Sequence, residues 1–143
     1  MRELRRVLDL APTERRLFLE AALLLSLCRP ALALFGIQRL RRVCDRFAPS
    51  HRAGGTAESV QPESVARAVV RAARAVPGST CLTRAITIQF LLSRAGHEAR
   101  LRIGVSKAGS APLLAHAWVE CCGAVVGGDD VDLYAPLRQV PLG

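Results

Sequence analysis

The chain has 143 residues, enough for one ordinary domain with a buried core and too few for two full-sized ones. Half of the residues are hydrophobic but only 4% are aromatic, so the core must be built from Leu, Ala and Val. The net charge of +8 rests on 19 arginines and one lysine, Lys107; they are scattered, with no stacking aromatics between them, which argues against nucleic acid and for an acidic peptide or protein partner.

Residues 1–11 place Leu4, Val7, Leu8 and Leu10 among arginines. Pro12-Thr13-Glu14 then opens a helix, apolar from Leu17 through Leu27. Pro30 is expected to break or kink that helix, and a second helix from about Pro30 carries Leu32, Leu34, Phe35, Ile37 and Leu40 and turns basic at Arg39, Arg41, Arg42 and Arg46. Leu17–Ile37 approaches the length of a membrane span, but Glu20 and the Arg29-Pro30 step oppose that assignment. Two core helices and no integral membrane segment are expected. Residues 48–61 are rich in Pro, Ser, Gly and Ala around Gly54-Gly55, and they read as a linker between an N-terminal helical segment, 1–47, and a second part, 62–143. His51 belongs to the linker and is expected to be solvent-exposed.

A third helix opens at Pro62-Glu63-Ser64 and repeats Val65, Ala68, Val69, Ala72 and Val76 on one face, with Arg67, Arg71 and Arg74 opposite. Pro77-Gly78 ends it. The fourth helix, about Thr80 to Ala95, is apolar nearly all round and so is expected to be buried, with Gly96 as its left-handed cap. Leu101, Ile103 and Val105 then alternate with Arg100, Arg102 and Gly104, which predicts a half-buried strand over 99–106. A second strand follows over 113–122, Gly123 turns, and Ala124-Val125-Val126 starts a third. The tail from Val131 is expected to wrap the surface. The class predicted is α+β: helices first, then a small antiparallel sheet.

The five cysteines, at 28, 44, 81, 121 and 122, are odd in number and contain no CxxC pair. With no signal peptide evident, free thiols in a reducing cytoplasm are expected. Cys121 and Cys122, if both lie on a strand, point to opposite faces, so no metal site and no cofactor is expected.

The chemistry gathers around Ser79-Thr80-Cys81. A cysteine in the first turn of a buried helix meets unused backbone N–H groups and the positive end of the macrodipole, which favour its thiolate. His116 lies on the second predicted strand, and an acidic cluster, Asp129, Asp130 and Asp132, follows. Cys, His and Asp in that order suit thiol-based acyl transfer. The imidazole would hold the thiolate and then protonate the leaving amine. Asp129 is the first choice to orient His116, Asp130 is the alternate, and Asp132 reads as a turn residue. Trp118 shares the His116 face and either shields it, forms a substrate wall or fills the core. Thr80 either caps the helix or orients substrate, with Ser79 the preferred cap. Glu120 reads as a rim residue.

Ser79-Thr80-Cys81-Leu82-Thr83-Arg84-Ala85, Leu91-Leu92-Ser93-Arg94-Ala95-Gly96, Leu101-Arg102-Ile103-Gly104-Val105 and Ala115-His116-Ala117-Trp118-Val119-Glu120 together resemble the lasso peptide biosynthesis leader peptidases. The resemblance covers about residues 62–137. It implies a transglutaminase-like core of the papain-like cysteine protease class, with the catalytic cysteine at a helix N-terminus packed on the sheet. It implies a cysteine endopeptidase that removes the leader from a ribosomally made precursor peptide, using Cys81 as nucleophile, His116 as base and Asp129 as acid. The family places its aspartate where this chain has Gly128, so Asp129 requires a shift of one position and Asp130 stays the alternate. The partners implied are a separate small leader-recognition protein and an asparagine-synthetase-like cyclase. The alternatives are a transglutaminase-like acyltransferase using the same triad and a non-catalytic, basic peptide-binding scaffold.

Overall fold

Apolar residues spaced every three or four positions yield helices in the first two-thirds of the chain, and strict alternation yields the sheet that follows. The structure, a computed structural model, describes residues 11–47, 60–106, 114–128 and 135–136. The helices are α1 Pro12–Phe47, α2 Pro62–Ala75 and α3 Cys81–Arg94; the strands are β1 Ala99–Ser106, β2 Leu114–Cys121, β3 Ala124–Val125 and β4 Ala135–Pro136. All pairings are antiparallel, in the order β3-β2-β1-β4. The α+β class with helices first therefore holds, and His116 lies on an inner strand.

The break or kink expected at Pro30 falls elsewhere. Helical assignment continues through Pro30, and the interruption is at Gly36, with φ 70 and ψ 167. Those angles belong to a region essentially restricted to glycine, so Gly36 is the residue that lets the chain change direction. Only one side of α1 meets the core, through Ala21, Leu25 and Cys28. Leu19, Leu23 and Leu27, spaced four apart and so forming one stripe, are more than half exposed, as are Leu34 and Phe35. Pro12–Leu40 is long and apolar enough to cross a membrane by length and composition, and only 17% of its most apolar window is buried within the chain. The expectation of core helices is thus met on one face and not on the other. Glu20 pairs with Arg16 at 3.0 Å and with Arg94, which ties α1 to the end of α3.

α2 buries Val65, Ala66, Ala68, Val69 and Ala72 and leaves Arg67, Arg71 and Arg74 exposed, as its periodicity requires. α3 has no such polar face: Ala85, Ile86, Ile88, Leu91 and Leu92 are all buried. Its end is closed by Gly96, at φ 89, and by the His97 N–H donating to the Leu92 carbonyl at 3.0 Å. The sheet adds Leu101, Ala117, Val119, Cys121 and Val126 to the same core. In the β1–β2 register Gly104 faces His116, Arg102 faces Trp118 and Arg100 faces Glu120. Arg102 Nε donates to Glu120 Oε2 at 2.9 Å, which makes Glu120 a sheet-rim partner.

The β2–β3 hairpin corrects one expectation. Cys121 pairs with Ala124, so Cys122 and Gly123 form a two-residue turn; their φ values are 54 and 80, both positive as a type I′ hairpin requires. Cys122 has therefore left the strand, and its Sγ lies 3.5 Å from that of Cys121 instead of on the opposite face.

Candidate active site

α3 starts where it does because Thr80 and Thr83 cap each other. The Thr80 hydroxyl accepts the Thr83 N–H at 3.3 Å, and Thr83 Oγ1 accepts the Thr80 N–H at 2.9 Å. This reciprocal arrangement satisfies two N–H donors that the helix itself leaves unused. Ser79, the preferred cap on sequence grounds, instead donates its hydroxyl to the Val76 carbonyl at 2.9 Å. Thr80→Ala is expected to cost about 1 kcal/mol and to lower the melting temperature by about 3 °C. A calorimetric melt checks this; an unchanged melting point would contradict the capping role.

Cys81 is the first residue of α3, half-buried beside the cap. Its backbone N–H is one that helical hydrogen bonding does not consume. Cys81 and His116 line the same small cavity of about 90 Å³, together with Arg84, Ile88, Gly127 and Gly128. His116 Nε2 is buried, and the imidazole stacks on Trp118 with ring centroids 6.4 Å apart and planes 21° apart. Trp118 is only 4% exposed, so it stands behind the imidazole; among the described residues the cavity wall includes neither Trp118 nor Thr80.

Two features of this wall carry no distinct signal in the sequence. Arg84 lies three residues after Cys81 and so on the same helix face; its Nε donates to the Thr80 carbonyl at 3.4 Å, which holds a cation at the cavity edge. Gly127 has φ 74, and a Cβ there would fall 2.5 Å from Ile88 Cδ1. Glycine is what allows the chain to pass so close to α3, and it brings Gly128 to the cavity wall. Asp129, Asp130 and Asp132 lie outside the described residues, but Asp129 is the next residue along from that wall.

A larger cavity, about 250 Å³, lies elsewhere among the described residues, between α1 and α3, with a wall that includes Leu24, Leu27, Cys28, Leu40 and Phe90. Among the described residues its lining is nearly all apolar, whereas the smaller cavity brings a thiol and an imidazole to one wall, so the smaller cavity is the candidate for chemistry. The Cys121 thiol differs in kind. Burial, followed by the hydrogen bond and charge of Cys122, pushes the Cys121 thiol up to about 11, so it stays protonated at neutral pH and is a poor nucleophile.

A family model described as the transglutaminase-like superfamily matches residues 22–140, from within α1 to the last residues of the chain. No curated protein and no solved structure matches the chain.

Proposed function

The chain belongs to the transglutaminase-like superfamily, and on that premise we propose that it is a cysteine endopeptidase that removes the leader from a lasso peptide precursor. The observation that carries the chemistry is the shared cavity of Cys81 and His116. The four sequence segments around Cys81, Leu91, Leu101 and Ala115 support the leader as substrate.

In the proposed reaction the Cys81 thiol gives its proton to His116 and the sulfur attacks the scissile carbonyl. The developing oxyanion is met by the Cys81 backbone N–H at the start of α3. His116 returns the proton to the departing amine, which breaks the C–N bond and frees the core peptide with a new N-terminus. A thioester to the leader remains on Cys81. Water, deprotonated by His116, attacks that thioester; the leader leaves as an acid and the thiol recovers its proton.

Asp129 is assigned to orient His116 by accepting a ring N–H, supported by its position one residue beyond Gly128 at the cavity wall. Asp129→Asn is expected to lower kcat by about 10³-fold or more, and Asp130→Asn by less than about tenfold. Rates of precursor loss read by mass spectrometry decide between them, and the reverse ranking would give the role to Asp130.

The same Cys81 thioester serves an acyltransferase if an amine replaces water, and the family assignment favours keeping that second reading. The products separate the two: a free leader acid for the peptidase, an amide adduct for the acyltransferase. A cytoplasmic location with a separate small leader-recognition protein and an asparagine-synthetase-like cyclase completes the proposal, with no role for nucleic acid and no membrane-spanning segment. The exposed stripe Leu19, Leu23 and Leu27 supports a protein partner on α1.

A further inference from the structure

We propose that His97, Cys121 and Cys122 form a site for a thiophilic divalent cation of the Zn(II) class, at the end of β2 away from the catalytic cavity. The three residues come from two connections that are remote in sequence. His97 follows the cap of α3, while Cys121 closes β2 and Cys122 is the first residue of the hairpin turn. One ligand atom from each lies within 4.8 Å of the other two, and the two sulfurs are 3.5 Å apart. A tetrahedral ion with Zn–S bonds of about 2.3 Å sets its sulfur donors about 3.8 Å apart, so small side-chain adjustments suffice. Two sulfurs and one imidazole select a soft or borderline cation over magnesium or calcium.

A second observation fixes the imidazole for this role. His97 Nε2 lies 2.9 Å from the Val60 carbonyl. A carbonyl only accepts, so Nε2 carries the proton and donates, which leaves the lone pair on Nδ1. A ligating histidine whose other ring N–H is held by a carbonyl is the usual outer-shell arrangement of a metal site. Cys121 is buried and Cys122 exposed, so the ion would sit at the surface, with its fourth position open to water. Binding replaces the two S–H protons, which pass to solvent.

The consequence is structural. Val60 precedes α2, His97 joins α3 to β1, and Cys121 and Cys122 carry the β2–β3 turn, so one ion pins three parts of the chain together. Cys121 is five residues along β2 from His116, a separation of about 17 Å, and the ion would not touch the reacting atoms.

The test uses the full chain, reduced and freed of metal, titrated with Co(II) alone. One equivalent should produce a thiolate-to-cobalt charge-transfer absorption, Zn(II) should bleach it, and Zn(II) should raise the melting temperature by several degrees. Cys122→Ser and His97→Gln should each weaken binding by more than about tenfold, while Cys81→Ala should leave it unchanged. Absence of the band in the reduced wild-type chain would overturn the site. So would a band that survives both substitutions, or one that disappears in Cys81→Ala and thereby places the ion at the catalytic thiol.

Discussion

Cys81→Ala is expected to reduce precursor cleavage by on the order of 10⁵-fold, to the level of the uncatalysed background, while the precursor still binds. The size follows from the route. Without the sulfur no thioester forms, and His116 has no nucleophile to activate in a cavity of only about 90 Å³. Binding survives because the substitution removes one sulfur at the start of α3 and leaves the Thr80–Thr83 cap in place. Processing at the wild-type rate in the Cys81→Ala chain would sink both the peptidase and the acyltransferase. Precursor binding with no Cys81-dependent turnover in the wild-type chain would instead favour the peptide-binding scaffold.

His116→Asn is the second large effect, expected at about 10⁴-fold in kcat, since one imidazole both accepts the thiol proton and supplies the proton to the leaving amine. The imidazole also stacks on Trp118, so loss of activity alone does not distinguish chemistry from packing. Alkylation by iodoacetamide does. If His116 is the proton acceptor for Cys81, labelling of Cys81 should slow in the variant while Cys122, exposed in the hairpin turn at the far end of β2, labels as before. A purely structural role would loosen the cavity and speed labelling at Cys81.

Much of this fold is legible in the sequence because its patterns are strong. The repeat of Val65, Ala68, Val69 and Ala72 specifies the buried face of α2, and the alternation through Leu101, Ile103 and Val105 specifies β1. Punctuation was harder to read. Pro30 looked decisive because it lacks an N–H, yet the non-helical angles are at Gly36, where backbone freedom outweighs a proline tolerated within the helix. Cys122 looked like a strand residue, and only its positive φ in the turn brings its sulfur to Cys121. No local pattern announces a cysteine in that conformation.

The candidate site divides in the same way. Cys81 and His116 stand out through the helix start and the strand that carry them, and both reach one cavity. Arg84 is hidden in the sequence, because a single arginine among 19 carries no signal except its spacing from Cys81. The acid cannot be chosen from sequence, since three aspartates lie within four positions and the path of the chain after Gly128 selects among them. The exposed face of α1 was also hidden, because an apolar repeat specifies which residues share a side and not what covers it.

The most direct measurement is rapid acid quenching of the wild-type chain with its precursor peptide, followed by intact-protein and peptide-map mass spectrometry. A transient adduct of the leader's mass, joined through a thioester to Cys81 and decaying to free leader acid, is the expected result. Cleavage with no adduct on Cys81 under conditions that trap thioesters, or an adduct carried by Cys28, Cys121 or Cys122, would contradict the assignment of Cys81 as nucleophile.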